Sequence, residues 1–586
     1  MSLDDLVNPL VRDTLEISLP RFRPELALCA TIVAMLLVRI FVDPLVRRSI
    51  GRGIDAFYLA LAGAVVALYY TAPWEHLAAG SPVPRQELFT GLLVYDGFTV
   101  FFRSVLMFFA VLFIVFTKLS GIPDREDSPD FYSLVLGGTI GMCLMASANH
   151  LLMVFLAVEM ASVPSYALAG MLKGRRESSE AALKYAVYGA GAAGVMLYGI
   201  SLIAGALGTV HLPTAAVQLA ELFRPENVAA GVGSDKYMVL ALGGLMISVG
   251  LAFKLSAVPF HFWCPDVFEG ASAEVNAFLS VASKAAALAL LVRVVVGFGH
   301  LPETTTVATR PTALFAVADP QATPPTVVLA QATPAPAVEP AVPAAAAQPP
   351  ASADVALSPV RNFMAKLVAL LAAITCTFGN LAAYGQTNIK RLLAYSTIGH
   401  AGYMMMPVAA ALTLAGTNVV GAQAAVASIC LYVGIYLFMN LGAFAFVAFM
   451  RNEIRSEEIA DYAGLVRRAP VAVICFSAIL FSLIGIPPLA GFIGKFAAFA
   501  SLADAKLWAL LVIGGLNTAL SLFYYLRVVK VMTIDPEPED RLPVRLPWYS
   551  AAGGYLCLLT APLLLLMVFW DGLNRWALAA TANLFS

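Results

Sequence analysis

FKLSAVPFHFWCPD, residues 253–266, sets a lysine and a proline five residues apart inside one apolar run. FSLIGIPPLAGFIGKF, residues 481–496, repeats the combination: Pro487 and Pro488 stand together, and Lys495 follows Pro488 by seven residues. Proline inside a helix removes a backbone hydrogen bond and clashes with the carbonyl four residues back. In lipid the freed carbonyls need partners, so such breaks belong in protein or beside a water-filled cavity. Two interrupted spans beside buried lysines, five helices apart, have the layout of an internal repeat in a transporter. A simple proline kink in each is the plainer alternative.

The rest of the chain agrees with a membrane setting. Of 586 residues, 60% are hydrophobic and 12% charged, against about 25% charged in soluble domains. Apolar runs long enough for about 30 Å of hydrocarbon fall near 24–43, 55–72, 97–118, 130–148, 150–172, 179–207, 236–263, 272–299, 361–383, 390–414, 418–450, 471–501, 505–530 and 550–573. The expectation is an all-α polytopic protein of about fourteen transmembrane helices, with helices 7 and 12 broken. The opening MSLDDLVNPLVRDTLEISLP lacks a signal-peptide layout, so the first span serves as the insertion signal. The net charge of −1 gives no hint of nucleic-acid binding, and the partner implied by composition is the lipid bilayer. Seven scattered cysteines show no metal or cluster spacing and read as small buried hydrophobes.

Basic residues orient the spans. With the N-terminus outside, inside loops and their edges hold Arg47, Arg48, Arg52, Arg125, Lys173, Arg175, Arg176, Lys390, Arg391, Arg451, Arg455, Arg467, Arg468, Arg527, Lys530, Arg541 and Arg545. Both termini then lie outside. Arg12, Arg21, Arg23, Arg85, Arg224 and Arg310 run against the rule. Residues 301–358, with the core QATPPTVVLAQATPAPAVEPAVPAAAAQPPASA, are too Pro-rich for a helix and read as an extended, disordered external loop.

Glu159, Lys254, Lys284 and Lys495 each lie inside an apolar run. An ionisable group at membrane depth costs roughly 2.5–3.5 kcal/mol on insertion scales, and such groups are usually paired or wet and line ion or proton paths. Glu159 and Lys254 are the obvious pair. Lysine suits proton transfer because desolvation moves its proton affinity readily. Lys284 comes next and Lys495 ends the line, with His261 and His400 as candidate bridges that titrate near neutral pH. Plainer readings stand beside each: a static Glu159–Lys254 packing pair, snorkelling for Lys284 and Lys495, and structural hydrogen bonds for the histidines. Arg293 and Lys366 read as interfacial. Asp266 and Glu269 read as caps of the eighth helix or as the mouth of a proton entry.

At these residues the chain resembles subunit N of the proton-pumping NADH:quinone oxidoreductase, respiratory complex I, an antiporter-like family. The resemblance is carried by SSEAALKYAVYGAGAAGVMLYGISL (178–202), GLAFKLSAVPFHFWCPDVFEGA (250–271), AFLSVASKAAALALLVRV (277–294), GNLAAYGQTNIKRLLAYSTIGHAGYMMM (379–406) and LIGIPPLAGFIGKF (483–496). It implies two inverted five-helix repeats, at 130–300 and 359–533, between three N-terminal helices (1–129) and a last helix and tail (534–586). It implies proton transfer by Glu159, Lys254, Lys284 and Lys495, with His261 and His400 as relays. It also implies no cofactor in this chain: NADH, FMN, iron–sulfur clusters and quinone belong to partner subunits. Those partners are the other membrane-arm subunits, antiporter-like and small, in a bacterial inner membrane. The 301–358 insertion, Cys264 before Pro265, and Ser283 before Lys284 depart from the family pattern. The long lateral helix of the L subunit is not visible, and the M subunit would carry glutamate in place of Lys495. A cation/proton antiporter subunit, a subunit of a related hydrogenase complex and a structural scaffold are the rival readings.

Overall fold

The computed structural model describes residues 8, 10–42, 55–72, 83–124, 127–301, 355–538, 544 and 546–585. The predicted external loop at 301–358 and seven of the orienting arginines (47, 48, 52, 125, 310, 541 and 545) lie wholly or largely outside them. Helix occupies each of the fourteen apolar runs. Among the described residues, eleven helices are long and apolar enough to cross a membrane.

α1 (Arg23–Leu37), α2 (Ala56–Thr71) and α3 (Gly97–Ser120) come first. α4 (Ser128–Ser147), α5 (Leu151–Ala169) and α6 (Arg176–Leu207) follow. The seventh run holds α7 (Ser234–Leu255) and ends in the break, after which the stretch between the seventh and eighth runs is helical as α8 (Trp263–Gly270); the eighth run divides into α9 (Ala273–Ser280) and α10 (Ala282–Gly299). α11 (Ser358–Ala383), α12 (Ile389–Leu414) and α13 (Val419–Ile454) open the second half. The twelfth run divides into α14 (Pro470–Ile484) and α15 (Ala490–Asp504), before α16 (Trp508–Thr533). The last run holds α17 (Ala551–Val568), and a further short helix, α18 (Trp570–Thr581), begins at its end and runs beyond it. α18 packs Trp576 against Phe101, ring centroids 4.5 Å apart, so the stretch read as a tail is largely helical.

The two proline breaks fall where the sequence puts them. The eighth run is also interrupted, at Val281 (φ −100°, ψ −70°), although Ser283 stands where the family pattern has proline. The all-α expectation misses one small element: β1 (Gln86–Leu88) pairs antiparallel with β2 (Leu93–Tyr95). At this rim Ala148 bridges to Leu93, and His150 to His211.

α9–α10 and α13 are the central helices, their apolar windows wholly or nearly wholly buried. α13 has 36 residues and at 1.5 Å per residue outreaches the hydrocarbon. At the rim opposite the hairpin, charges tie the two halves. Arg391 reaches Asp266 at 3.3 Å and also contacts Glu269, and Lys390 Nζ donates to Ala271 O at 2.9 Å. Arg451 pairs with the fully buried Glu274 at 3.1 Å. Asp266 and Glu269 are thus ion-pair partners, and the α9 cap is Ser272, whose Oγ accepts from Val275 N.

α11 and α12 approach closely through small residues, the membrane solution when lipid is as apolar as leucine. A Cβ on Gly402 would stand 2.5 Å from Cys376 N and 2.7 Å from its Cα. Gly402→Ala is therefore expected to force the helices apart and cost about 1–3 kcal/mol, read as earlier thermal unfolding of the detergent-purified protein. Unchanged unfolding would mean that the pair has slack here.

Candidate functional site

The site grows out of the helix ends that the breaks create. An α-helix leaves its last carbonyls without intrahelical donors, and at membrane depth those carbonyls must find others. At the end of α7, Ser256 adopts φ 56° and the carbonyls are shared out. Ala252 O accepts from Ala257 N at 2.8 Å, and Phe253 O accepts from Ser256 N and from Trp263 Nε1, each at 3.0 Å. Leu255 O accepts from Lys284 Nζ at 2.9 Å. At the end of α14, Gly485 adopts φ 85°. Ser482 O accepts from Gly485 N at 3.0 Å, and Ile484 O accepts from Lys495 Nζ at 3.0 Å. In both halves one lysine ammonium meets the last carbonyl before the break, where the helix dipole is negative.

Lys254, Lys284 and Lys495 are all buried. Lys254 Nζ donates to Ser162 Oγ at 3.1 Å, and Ser162 in turn donates to Val158 O at 2.6 Å. Ser162 lies three residues after Glu159 on α5, so the two share a helix face. Glu159 itself is half-buried, flanked by exposed Leu156 and Met160, and is less enclosed than the three lysines. Among the described residues no ion pair joins Glu159 to Lys254; the ammonium is bonded to the serine instead.

His400 is enclosed. Its Nδ1 lies 2.8 Å from the Tyr432 hydroxyl, and its Nε2 lies 3.4 Å from that of Tyr525, which contacts Ser396 Oγ. Lys495 Nζ sits over the Tyr403 ring, 4.3 Å from the centroid, and Tyr403 reaches Thr518 Oγ1 at 3.3 Å. The structure thus brings His400 and Lys495 into one buried polar cluster with Tyr403 and Tyr432. His261 is placed apart, with its ring edge-on to Phe378, centroids 4.4 Å apart.

Sequence reasoning missed several buried charges. Arg293, read as interfacial, is buried and paired bidentately with Asp96, at 2.6 Å (Nη1–Oδ2) and 2.5 Å (Nη2–Oδ1). It also donates to Ala146 O and Thr99 Oγ1, each at 2.8 Å. Glu25 Oε1 and Arg103 Nε stand 2.7 Å apart, both side chains buried. The signal for the first was an acid directly before a span and a base near the end of another. Their pairing, 197 residues apart in sequence, is invisible without the fold. At the hairpin rim, Glu87 Oε1 bonds His211 Nε2 at 3.1 Å and accepts from Asn149 Nδ2 at 3.2 Å. The bond from His211 holds the Glu87 carboxyl below its ordinary range. A cavity of about 30 Å³ beside it, lined by Arg85, Asn149, Arg293 and His300 among others, has room for water but touches none of the three buried lysines.

Residues 148–309 and 351–521 match the family model described as NADH:quinone oxidoreductase/Mrp antiporter, transmembrane; the gap between the matches falls in the 301–358 insertion. NADH-quinone oxidoreductase subunit N of Anaeromyxobacter sp. (strain Fw109-5) is 36% identical over 98% of each chain. A chain of respiratory complex I from Thermus thermophilus with bound aureothin is 29% identical, with TM-score 0.64, covering 94% of this chain and 97% of its own. A chain of the Mrp complex from Dietzia sp. DQ12-45-1b shares the fold at TM-score 0.71 and 17% identity, covering 97% of this chain and 98% of its own. With a family model over more than half its length and a near full-length relative above 30% identity, the chain belongs to the NADH:quinone oxidoreductase/Mrp antiporter family of membrane subunits.

Proposed function

We propose that this multi-pass chain translocates protons in the membrane arm of an NADH:quinone oxidoreductase, in the place held by subunit N. The observation that carries the reading is a set of three buried ammonium groups, two of them seated on helix breaks, in a chain similar to subunit N from end to end. NADH, FMN, iron–sulfur clusters and quinone belong to partner subunits, and this chain supplies no redox centre. Quinone reduction there shifts Lys254 from Ser162 toward Glu159, one helical turn away. Protons then pass by Lys284 and the His400–tyrosine cluster to Lys495. His261, off this line, joins it only through water.

We assign fourteen crossings, with both termini on the outer face of a bacterial cytoplasmic membrane. The two repeats span 130–300 and 359–533, flanked by 1–129 and 534–586. The basic residues of the Arg391 and Arg451 rim support an inner face there.

Two measurements test the reading. Isolated from native membranes in mild detergent, the chain is expected to bring flavin- and iron–sulfur-bearing subunits with NADH:quinone activity; antiporter subunits alone would overturn it. In the same complex, Lys254→Ala is expected to lower NADH-driven proton pumping far more than assembly. Equal losses of both would make the lysine structural.

A further inference from the structure

Lys284 and Lys495 share an unusual condition. Among the described residues neither forms an ion pair with a carboxylate, yet each is buried and each donates to a carbonyl at the open end of a half-helix. A buried cation without a counter-charge is costly, and the negative end of a helix is the one source of opposite polarity that both lysines touch. The residue after each carbonyl, Ser256 or Gly485, leaves the helix in the left-handed conformation, so no following helical N–H covers that carbonyl. Glycine holds that conformation freely; serine does so at a cost. Ser256 is fully buried, so the strained turn is held by its surroundings, including the bond from Val258 N to Thr375 Oγ1 at 2.9 Å.

We propose that Ser256 and Gly485 are positioning residues for proton transfer. By ending α7 and α14 in the left-handed conformation, they leave the Leu255 and Ile484 carbonyls open to Lys284 and Lys495. Each ammonium thereby takes its counter-charge from a helix C-terminus, which gains and loses no proton itself. The break is then the part of the pump that keeps a lysine charged until the next carrier accepts from it. The proposal rests on the reading that these lysines carry protons.

The other ionisable groups facing them are few. Cys264 faces Lys284, and Cys376, Tyr403 and His400 face Lys495. None is a carboxylate.

The test uses the intact complex in membrane vesicles and the pH profile of NADH-driven pumping. A β-branched residue disfavours the left-handed region, so Ser256→Val is expected to withdraw the Leu255 carbonyl. An acceptor favours ammonium over amine, and a hydrogen bond to a charged group is strong enough that its loss should move the alkaline limb down by about one pH unit. Ser256→Gly, which keeps the turn, should follow the parent profile. A parent-like profile in Ser256→Val, or equal shifts in the valine and glycine variants, would overturn the proposal. If Ser256→Val does not assemble, Gly485→Ala carries the test. Its Cβ would stand 2.9 Å from Lys495 Cδ, and the same downward shift is expected; a parent-like profile there overturns the proposal. Lys284→Ala separates the two levels. Parent-like pumping in that variant fells the proton-carrying reading, whereas its failure alongside a parent-like Ser256→Val fells only the positioning role.

Discussion

Lys495→Ala is expected to close the proton route through this chain while leaving the complex assembled. A positioned acid–base group contributes on the order of 10²–10⁴-fold to proton transfer, so flux by this route should fall at least about a hundredfold. In vesicles, acidification per NADH oxidised should drop by the whole share this chain carries. Lys495→Arg makes the argument sharper. Arginine keeps a positive charge near the Ile484 carbonyl and the Tyr403 ring, but its guanidinium does not release its proton in proteins. It should therefore be as inactive as alanine. An arginine variant that pumps normally would show that a fixed charge suffices and that Lys495 is no carrier.

The second large effect concerns stability. Asp96→Ala leaves the Arg293 guanidinium buried without its bidentate partner, a change that costs about 3–5 kcal/mol. It also removes the α3 cap, where Asp96 Oδ1 accepts from Thr99 N at 2.8 Å, worth about 1 kcal/mol more. Against a typical stability of about 5–15 kcal/mol, most of the chain should fail to accumulate. Asp96→Ala combined with Arg293→Leu should recover much of the loss, because the Arg293 charge is then no longer stranded. If the double variant is as poor as the single one, the pair matters for more than mutual neutralisation. Thermal unfolding in detergent and the amount of chain in purified complexes read both.

The proline-broken runs were legible because proline and lysine are local signals: 253–266 and 481–496 each announce a break and a buried charge within sixteen residues or fewer. Lys284, Lys495 and His400 were legible for the same reason, being polar letters in apolar text. What the charges touch was not legible. Ser162 is an ordinary helix residue until Lys254 reaches it from a helix 92 residues later. Lys284 read as the next carrier on the line or as a snorkelling base, and its acceptor is a backbone carbonyl, which every residue has and no sequence marks. The break at Val281 carries no proline at all. Arg293 and Asp96 each sit near a span end, where charge is unremarkable, and only the fold shows that the two ends meet.

The seating of Lys284 and Lys495 on helix ends has an electrical consequence. A carboxylate beside each lysine would make a neutral pair, which an electric field turns but does not drive. A protonated lysine facing a carbonyl keeps its net unit of positive charge within the apolar span. Moving one elementary charge fully across costs about 2.3 kcal/mol per 100 mV, and a charge held at intermediate depth feels a fraction of that. If the two lysines carry the protons as proposed, they are where the voltage built up by pumping is expected to push back on the pump.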